Sequence, residues 1–371
     1  MKTILMELIQ SVQFLCTSQF WRMSVLWTFS LLFSYFQLWL DRVIFRNSRS
    51  YPRCSPPFIT PSTKRPICVV TGKLSKVHIE SFVLSYASPF LFIYLSSLPL
   101  VVKQTVKEIK QWHPDAHLKA FQVDLSSFES MLKFKRSLQQ WLLDSEMDPS
   151  IQLLVNNAGI LATSGRLTAE GFDQMIGTNY IAAFALTNLL LPLLKSSSVP
   201  SRVVNVTSFT HRCVSDILVD KETLVGNFLV SKQYPCAQVY EYSKLFLLLL
   251  SYELHRQFCF GDKSHQVSVI AADPGVVETN IMREVPSHLS FLAVTILRIL
   301  GLLQSPDNGV ESIIDAALAP PEVSGQYFFG GRGRVIKSSA LSYDTKLAEK
   351  LWTTSSQLFL ELQLAYKDQA S

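Results

Sequence analysis

The stretch "PICVVTGKLSKVHIESFV", Pro66 to Val83, begins as one kind of structure and continues as another. Four apolar residues in a row, Ile67 to Val70, read as a strand buried on both faces, and Thr71-Gly72 after them reads as the start of a phosphate-binding turn. Such a turn needs further glycines at once, yet the next glycine after Gly72 is Gly159. Working outward, the same kind of strand recurs in "LKAFQVDLSS", "IQLLVNNAG", "SRVVNVTS" and "VSVIAADPG". Runs rich in Val, Ile and Leu without in/out alternation, spaced by helix-length intervals, predict an α/β fold with a doubly wound parallel sheet of the Rossmann type. Between them, "LTAEGFDQMIGTNYIAAFALTNLLLPLLK" and "AQVYEYSKLFLLLLSYELHRQF" are apolar around most of their circumference, as helices packed between a sheet and other helices are.

A chain of 371 residues with 48% hydrophobic content can bury a sizeable core and is too lightly charged to be disordered. Its net charge of +5 is scattered, and the one local excess, Arg42, Arg46, Arg49, Arg53, Lys64 and Arg65, borders an apolar segment. That placement favours a membrane flank over a nucleic-acid groove. Six cysteines form no CxxC pair and no His partnership at metal-ligand spacing, so neither a zinc site nor a disulfide framework is expected.

The segment Met23 to Leu40 carries no charge and is just long enough to cross a bilayer, for which about 17 to 20 residues suffice. A cleaved signal peptide should end in small residues, whereas this one ends in Gln37-Leu38-Trp39-Leu40. A helix lying in the interface or against the protein would explain the interspersed Ser24, Thr28, Ser30, Ser34 and Gln37. A signal anchor is the expectation taken forward, and the arginines after residue 41 put its C-terminal side in the cytosol. The chain therefore divides into a hydrophobic segment, 1–46; a Pro/Ser/Arg-rich linker, 47–65; the sheet domain, 66–335; and a helical tail, 336–371.

Candidate chemistry lies at the C-terminal ends of the strands, where open α/β sheets bind ligands. Asn156-Asn157-Ala158-Gly159 follows one strand, Ser208 ends the next, Tyr240 and Lys244 lie on the helix after it, and Pro274-Gly275 with Thr279 follow the last. Tyr240 and Lys244, four apart, project from one helix face. An ammonium beside a phenol is expected to lower the phenol's pKa by about 1 to 3 units and so bring Tyr240 toward use as a general acid/base. Alone, each residue has a plainer role: a helix surface pair, a strand-end hydrogen bonder, a turn former.

Together and in this order they resemble the short-chain dehydrogenase/reductase family, from about Pro66 to Phe329. The likeness is strongest to its retinol-dehydrogenase-like and "dehydrogenase/reductase on chromosome X" branches, through "VVNVTSFTH", "YEYSK", "DPGVVETN" and "SGQYFFGG". The resemblance implies that Ser208 binds the substrate oxygen, Tyr240 transfers the proton, Lys244 supports it, and Asn179 in "GTNYIAAF" holds a water for the proton relay. It implies a nicotinamide cofactor contacted by Thr71, Gly72, Asp124, Asn156, Asn157, Ala158, Gly159, Tyr240, Lys244, Pro274, Gly275 and Thr279, with NADP(H) slightly preferred over NAD(H). It also implies a lipophilic alcohol or carbonyl as substrate, endoplasmic-reticulum membranes with the catalytic domain cytosolic, and pairing as a homodimer. The apolar run Leu289 to Leu303 falls where the family places a substrate-covering segment.

The family's turn reads Thr-Gly-x-x-x-Gly-x-Gly, and here its second and third glycines are replaced by Lys76 and His78. Those glycines let backbone approach the pyrophosphate and let helix and strand pack closely. Ser81 to Val102 is free of charge, is punctuated by Pro89 and Pro99, and holds no acidic residue to read a ribose hydroxyl. Residues 73–100 thus read as a substituted block, as from a retained intron, since Gly-Lys can be encoded across a splice donor. Weak cofactor binding follows. The two functional classes carried forward are an oxidoreductase, in which Lys73 or Lys76 grips the phosphates by charge, and a binding or scaffold protein without dinucleotide affinity.

Overall fold

The computed structural model describes residues 2–44, 49–54, 65–72, 90–97, 99–226, 228, 233–260 and 267–368. Seven strands form one sheet: β1 (Ile67–Thr71), β2 (Leu91–Ser96), β3 (His117–Gln122), β4 (Leu153–Asn156), β5 (Ser201–Val206), β6 (Val267–Asp273) and β7 (Gln326–Phe329). Their order is β3-β2-β1-β4-β5-β6-β7, and every neighbouring pair is parallel. This is the expected doubly wound sheet, with its switch point between β1 and β4. Strands β1, β4, β5 and β6 are buried along their whole length, which is why their sequences run apolar without alternation.

β2 corrects one expectation. It lies inside the block read as foreign to the fold, yet it pairs residue for residue with β1 from Ile67↔Leu91 to Thr71↔Leu95 and with β3 on its other side. Ile93 and Leu95 are fully buried, so "LFIYLS" is a working strand of the sheet and the atypical stretch ends before Phe90. Residues 73–89, with Lys73, Lys76 and His78, lie outside the described residues.

The principal helices, in chain order, are α1 (Lys2–Leu15), α2 (Ser18–Val43), α3 (Pro99–Trp112), α4 (Phe128–Asp144), α5 (Gln174–Lys195), α6 (Cys236–Phe260), α7 (Ser287–Ile299), α8 (Pro306–Leu318) and α9 (Thr345–Asp368). α5 is long and apolar enough to cross a membrane but is mostly buried in the protein, as the core helix of a two-layered sheet must be. The C-terminal helix, α9, packs back on this core. Leu351 and Leu358 are buried, Trp352 packs edge-on against Phe184, Phe359 against Phe128, and the Ser355 hydroxyl meets that of Tyr180 at 2.7 Å.

On the far face, Arg202 at the start of β5 is buried and donates to the carbonyls of Ala316, Ala319 and Pro320. It satisfies the carbonyls at the end of α8 that have no partner within the helix.

α2 is long and apolar enough to cross a membrane and is mostly exposed, and one side of it lies along the domain. Its own Ser30, Leu31 and Ser34 are buried, the Ser30 hydroxyl donates to the Phe209 carbonyl at 2.6 Å, and Arg22 pairs with Glu241. The opposite side exposes Phe29, Phe33, Phe36 and Trp39. Of the interspersed polar residues, Ser30 and Ser34 face the protein, whereas Ser24 is exposed.

Candidate active site

Each strand ends by delivering a side chain to one place. Thr71 closes β1: its hydroxyl accepts the backbone N–H groups of Asn157 and Ala158, both at 3.0 Å, and its carbonyl accepts the Asn157 side-chain amide at 3.0 Å. Gly72 follows with φ +83°, and a Cβ there would fall 2.6 Å from the Ala158 Cα, so only glycine lets this turn lie against the loop. Asn156 turns inward, its amide donating to Thr187 and to Asn205 at 3.0 and 2.8 Å. Asn156 thus braces β4 against β5 and α5. A cleft lined by Thr71, Leu125, Asn156, Ala158 and Thr178 opens beside them. Asp124 lies at the exposed end of this edge, one carboxylate oxygen accepting from the Ser126 backbone and hydroxyl.

The first turn of α5 is followed by a π-turn at Gly177–Ile181, an irregularity that favours functional positions. It brings buried Asn179 under the loop: its oxygen accepts the Ile160 N–H at 2.8 Å, and its amide donates to the Ile160 carbonyl and to the Ser243 hydroxyl, both at 3.0 Å. Gly159 lies between Asn179 and the next group. A Cβ on it would sit 3.5 Å from the Lys244 Nζ and 3.6 Å from the Asn179 Oδ1.

α6 carries Tyr240 and Lys244 on one face. The Lys244 Nζ lies 5.6 Å from the Tyr240 ring centre and donates to the Val206 carbonyl at 3.0 Å, while the Lys244 carbonyl accepts from Thr207. Buried Ser208 caps the turn Phe209–Cys213, its hydroxyl accepting the Thr210 N–H at 3.3 Å. His211 fixes that turn: its Nδ1 meets the Ser208 carbonyl at 2.6 Å and its Nε2 accepts the Ser339 N–H at 3.1 Å. With burial holding its pKa near 3, the imidazole is neutral and Nδ1 carries the proton. Gly275, at φ +74°, donates its N–H to the Asp273 carboxylate at 2.7 Å, and Thr279 caps the turn Asn280–Met282. Ser208, Tyr240, Lys244, Asn179, Gly159 and the loop after β6 thus come together, with Asp124 peripheral and Thr279 exposed.

The electrostatics reverse one expectation. Burial, and then the charge of fully buried Asp273, raise the Tyr240 phenol above its ordinary value, with the Ser208 hydroxyl opposing them. Burial lowers Lys244 to about 8. Desolvation disfavours the phenolate, so in this state Tyr240 is a neutral proton donor.

Three comparisons bear on identity. The short chain dehydrogenase family model matches residues 90–214. Polyprenol dehydrogenase of Homo sapiens is 32% identical over 263 residues, covering 69% of this chain and 73% of its own. This chain belongs to the short-chain dehydrogenase/reductase family. Retinol dehydrogenase 13 of Homo sapiens is 31% identical over 256 residues, 68% of this chain and 72% of its own. Among solved structures, an uncharacterised protein of Mycobacterium paratuberculosis superposes with a TM-score of 0.59 at 25% identity, over 81% of this chain and 95% of its own. NADPH-bound carbonyl reductase from chicken fatty liver shares the fold, with a TM-score of 0.53 at 18% identity over 74% of this chain and 95% of its own. The family match begins at Phe90, just before β2.

The residues at this end fit a nicotinamide: a proton donor, a hydroxyl and an ammonium converge beside loops whose glycines, 72 and 275, take left-handed backbone. Sequence reasoning missed Asp273 and Glu241. Glu241, next to Tyr240, had one visible signal: an acid within an otherwise apolar helix needs a buried partner.

Proposed function

We propose that this chain is an NAD(P)(H)-dependent oxidoreductase that interconverts a lipophilic alcohol and its aldehyde or ketone at a membrane surface. The observation that carries the reading is the Lys244 Nζ lying 5.6 Å from the Tyr240 ring centre, with Lys244 and Asn179 on either side of Gly159. When bound, the nicotinamide would supply or accept the hydride. Thr71, Gly72, Asn157, Ala158 and Gly159 would hold the cofactor on one side, Pro274, Gly275 and Thr279 on the other, and Asp124 at the adenine. Ser208 would orient the substrate oxygen. Tyr240 would donate its proton to that oxygen in reduction and take it back in oxidation, and Lys244 would stabilise the phenolate left behind. The relatives named for polyprenol and retinol act on long apolar alcohols, and the exposed Phe291 and Ile299 of α7 suit such a substrate. NADP(H) is preferred over NAD(H) in this reading, and two copies would pair as a homodimer.

Titration of the full chain with NADPH and NADH tests it. Low-micromolar or tighter binding, stronger for NADPH, supports the oxidoreductase and assigns the work of the absent glycines to Lys73 or Lys76. No binding to either favours the scaffold reading, whose motive is the side-chain volume at positions 76 and 78.

The membrane part of the reading rests on exposed apolar residues of α2 and α7. α1 reaches α7 through Glu7, whose carboxylate meets Ser287 and His288, and α2 adds Phe29, Phe33, Phe36 and Trp39 to the same exposed apolar character. Apolar surface on this scale, with tryptophan present, suits a helix lying in the plane of the interface. The endoplasmic reticulum, with the catalytic domain in the cytosol, is the expected site. On fractionation the full-length protein is expected in the membrane pellet; recovery in the soluble fraction overturns the attachment.

A further inference from the structure

The inner face of α2 runs across the catalytic end of the sheet. At one end the Trp27 ring lies 5.4 Å from the Tyr240 ring, tilted by 39°. Next, Ser30 bonds the carbonyl of Phe209, the residue after Ser208. Further along, the Tyr35 hydroxyl accepts from Gln304 at 2.9 Å and lies 3.6 Å from where a Cβ on Gly275 would stand. One helix thus touches the flank of the proton donor, of the hydroxyl residue and of the loop after β6.

What holds it there is the residue beside the proton donor. The Glu241 side chain is fully buried, and its described side-chain partners come from α2. Arg22 donates from Nε to both carboxylate oxygens at 2.8 and 2.9 Å and from Nη2 to Oε2 at 2.6 Å, while the Trp27 indole N–H donates to Oε1 at 2.7 Å. The same Nη2 also reaches the Cys213 carbonyl at 3.0 Å. In a regular α-helix, residues five apart stand about 140° apart around the axis and would not both reach one carboxylate. The π-turn Arg22–Trp27 widens the turn and brings both to the same side. A buried carboxylate stripped of its charge-assisted partners is strongly disfavoured, so the contact holds as a unit or not at all.

We propose that α2 is a lid over the catalytic tyrosine, latched by Arg22 and Trp27 on Glu241, and that Trp27 forms the wall against which the lipophilic substrate seats beside Tyr240. The proposal rests on the oxidoreductase reading for its substrate and on geometry for its latch, and the two are tested apart. The outer face of α2 is apolar, so lifting the latch at a membrane opens the site toward lipid, from which such a substrate would arrive.

Hydrogen exchange on the full chain reads the latch without any turnover. In the unmodified protein, amides of α2 are expected to exchange faster than those of β4, β5 and β6. Arg22→Gln is expected to speed exchange of α2 at least tenfold while leaving those strands unchanged. Exchange of α2 that does not respond, or that rises together with the sheet, would overturn the latch, the second outcome making the ion pair a brace of the whole domain. Steady-state rates with retinol and with decanol read the wall. Trp27→Ala is expected to change the ratio of their kcat/KM values at least tenfold, mostly through KM, with Trp27→Phe restoring it to within about threefold. An unchanged ratio would overturn the role of Trp27, whereas absence of turnover in the unmodified chain with either alcohol would overturn the oxidoreductase reading and leave the exchange result to stand on its own.

Discussion

Tyr240→Phe is expected to lower turnover by about 10² to 10⁴-fold, the range typical of a general acid/base, while changing cofactor affinity little. The ring stays, so its packing against Trp27 and its place above Lys244 are kept and only the hydroxyl is lost. That hydroxyl carries the proton to be transferred. Burial and Asp273 hold it protonated, so reduction finds the proton already in place. Because the interaction is made with an oxygen whose charge develops during the reaction, kcat and kcat/KM should fall together. A fall of that size corresponds to about 3 to 5 kcal/mol of transition-state stabilisation. Single-turnover reduction of a lipophilic aldehyde by the variant is the measurement, and retention of most of the rate would show that another group donates the proton.

How much of this was legible in the chain depended on whether a residue's partner was near it in sequence. β1, β4, β5 and β6 could be read directly because strands covered on both faces must be apolar at every position. The pair Tyr240 and Lys244 could be read because helical spacing puts them together whatever the surroundings. β2 could not. "LFIYLS" between two prolines has the composition of a buried strand and of a membrane run alike, and what decides is its pairing with β1 and β3, which is non-local. The same holds for α2: Met23 to Leu40 is apolar enough for lipid, and only Glu241, more than 200 residues away, reveals that one side of it belongs to the protein. The direction of the Tyr240 shift was misread for a related reason. Sequence spacing displays the nearby ammonium but not the burial that raises the phenol and lowers the ammonium.

Lys244→Met should make the protein more stable at pH 7 and nearly inactive. Lys244 is buried, and burial lowers its pKa from 10.5 to about 8. The unfolded chain therefore holds this proton more tightly than the folded one, and keeping the ammonium folded at neutral pH costs about 3 kcal/mol, at roughly 1.4 kcal/mol per pKa unit. The sign fixes the window. The penalty is fully present below about pH 8 and is relieved as pH rises to about 10.5, above which both states lose the proton. Methionine fills similar volume without charge and gives up one hydrogen bond, to the Val206 carbonyl, worth about 1 kcal/mol. A net gain of about 1 to 3 kcal/mol is expected at pH 7, shrinking to zero or reversing near pH 10.5, as read from urea midpoints of both proteins at the two pH values. Turnover moves the other way, because the Tyr240 phenolate formed on proton transfer loses its neighbouring cation, and a loss of at least about 10²-fold is expected. A variant less stable than the parent at pH 7 would mean that Lys244 serves as a structural tie between β5 and α6. A variant more stable and inactive would mean that the fold carries a buried charge at a cost in stability because the chemistry at Tyr240 requires it.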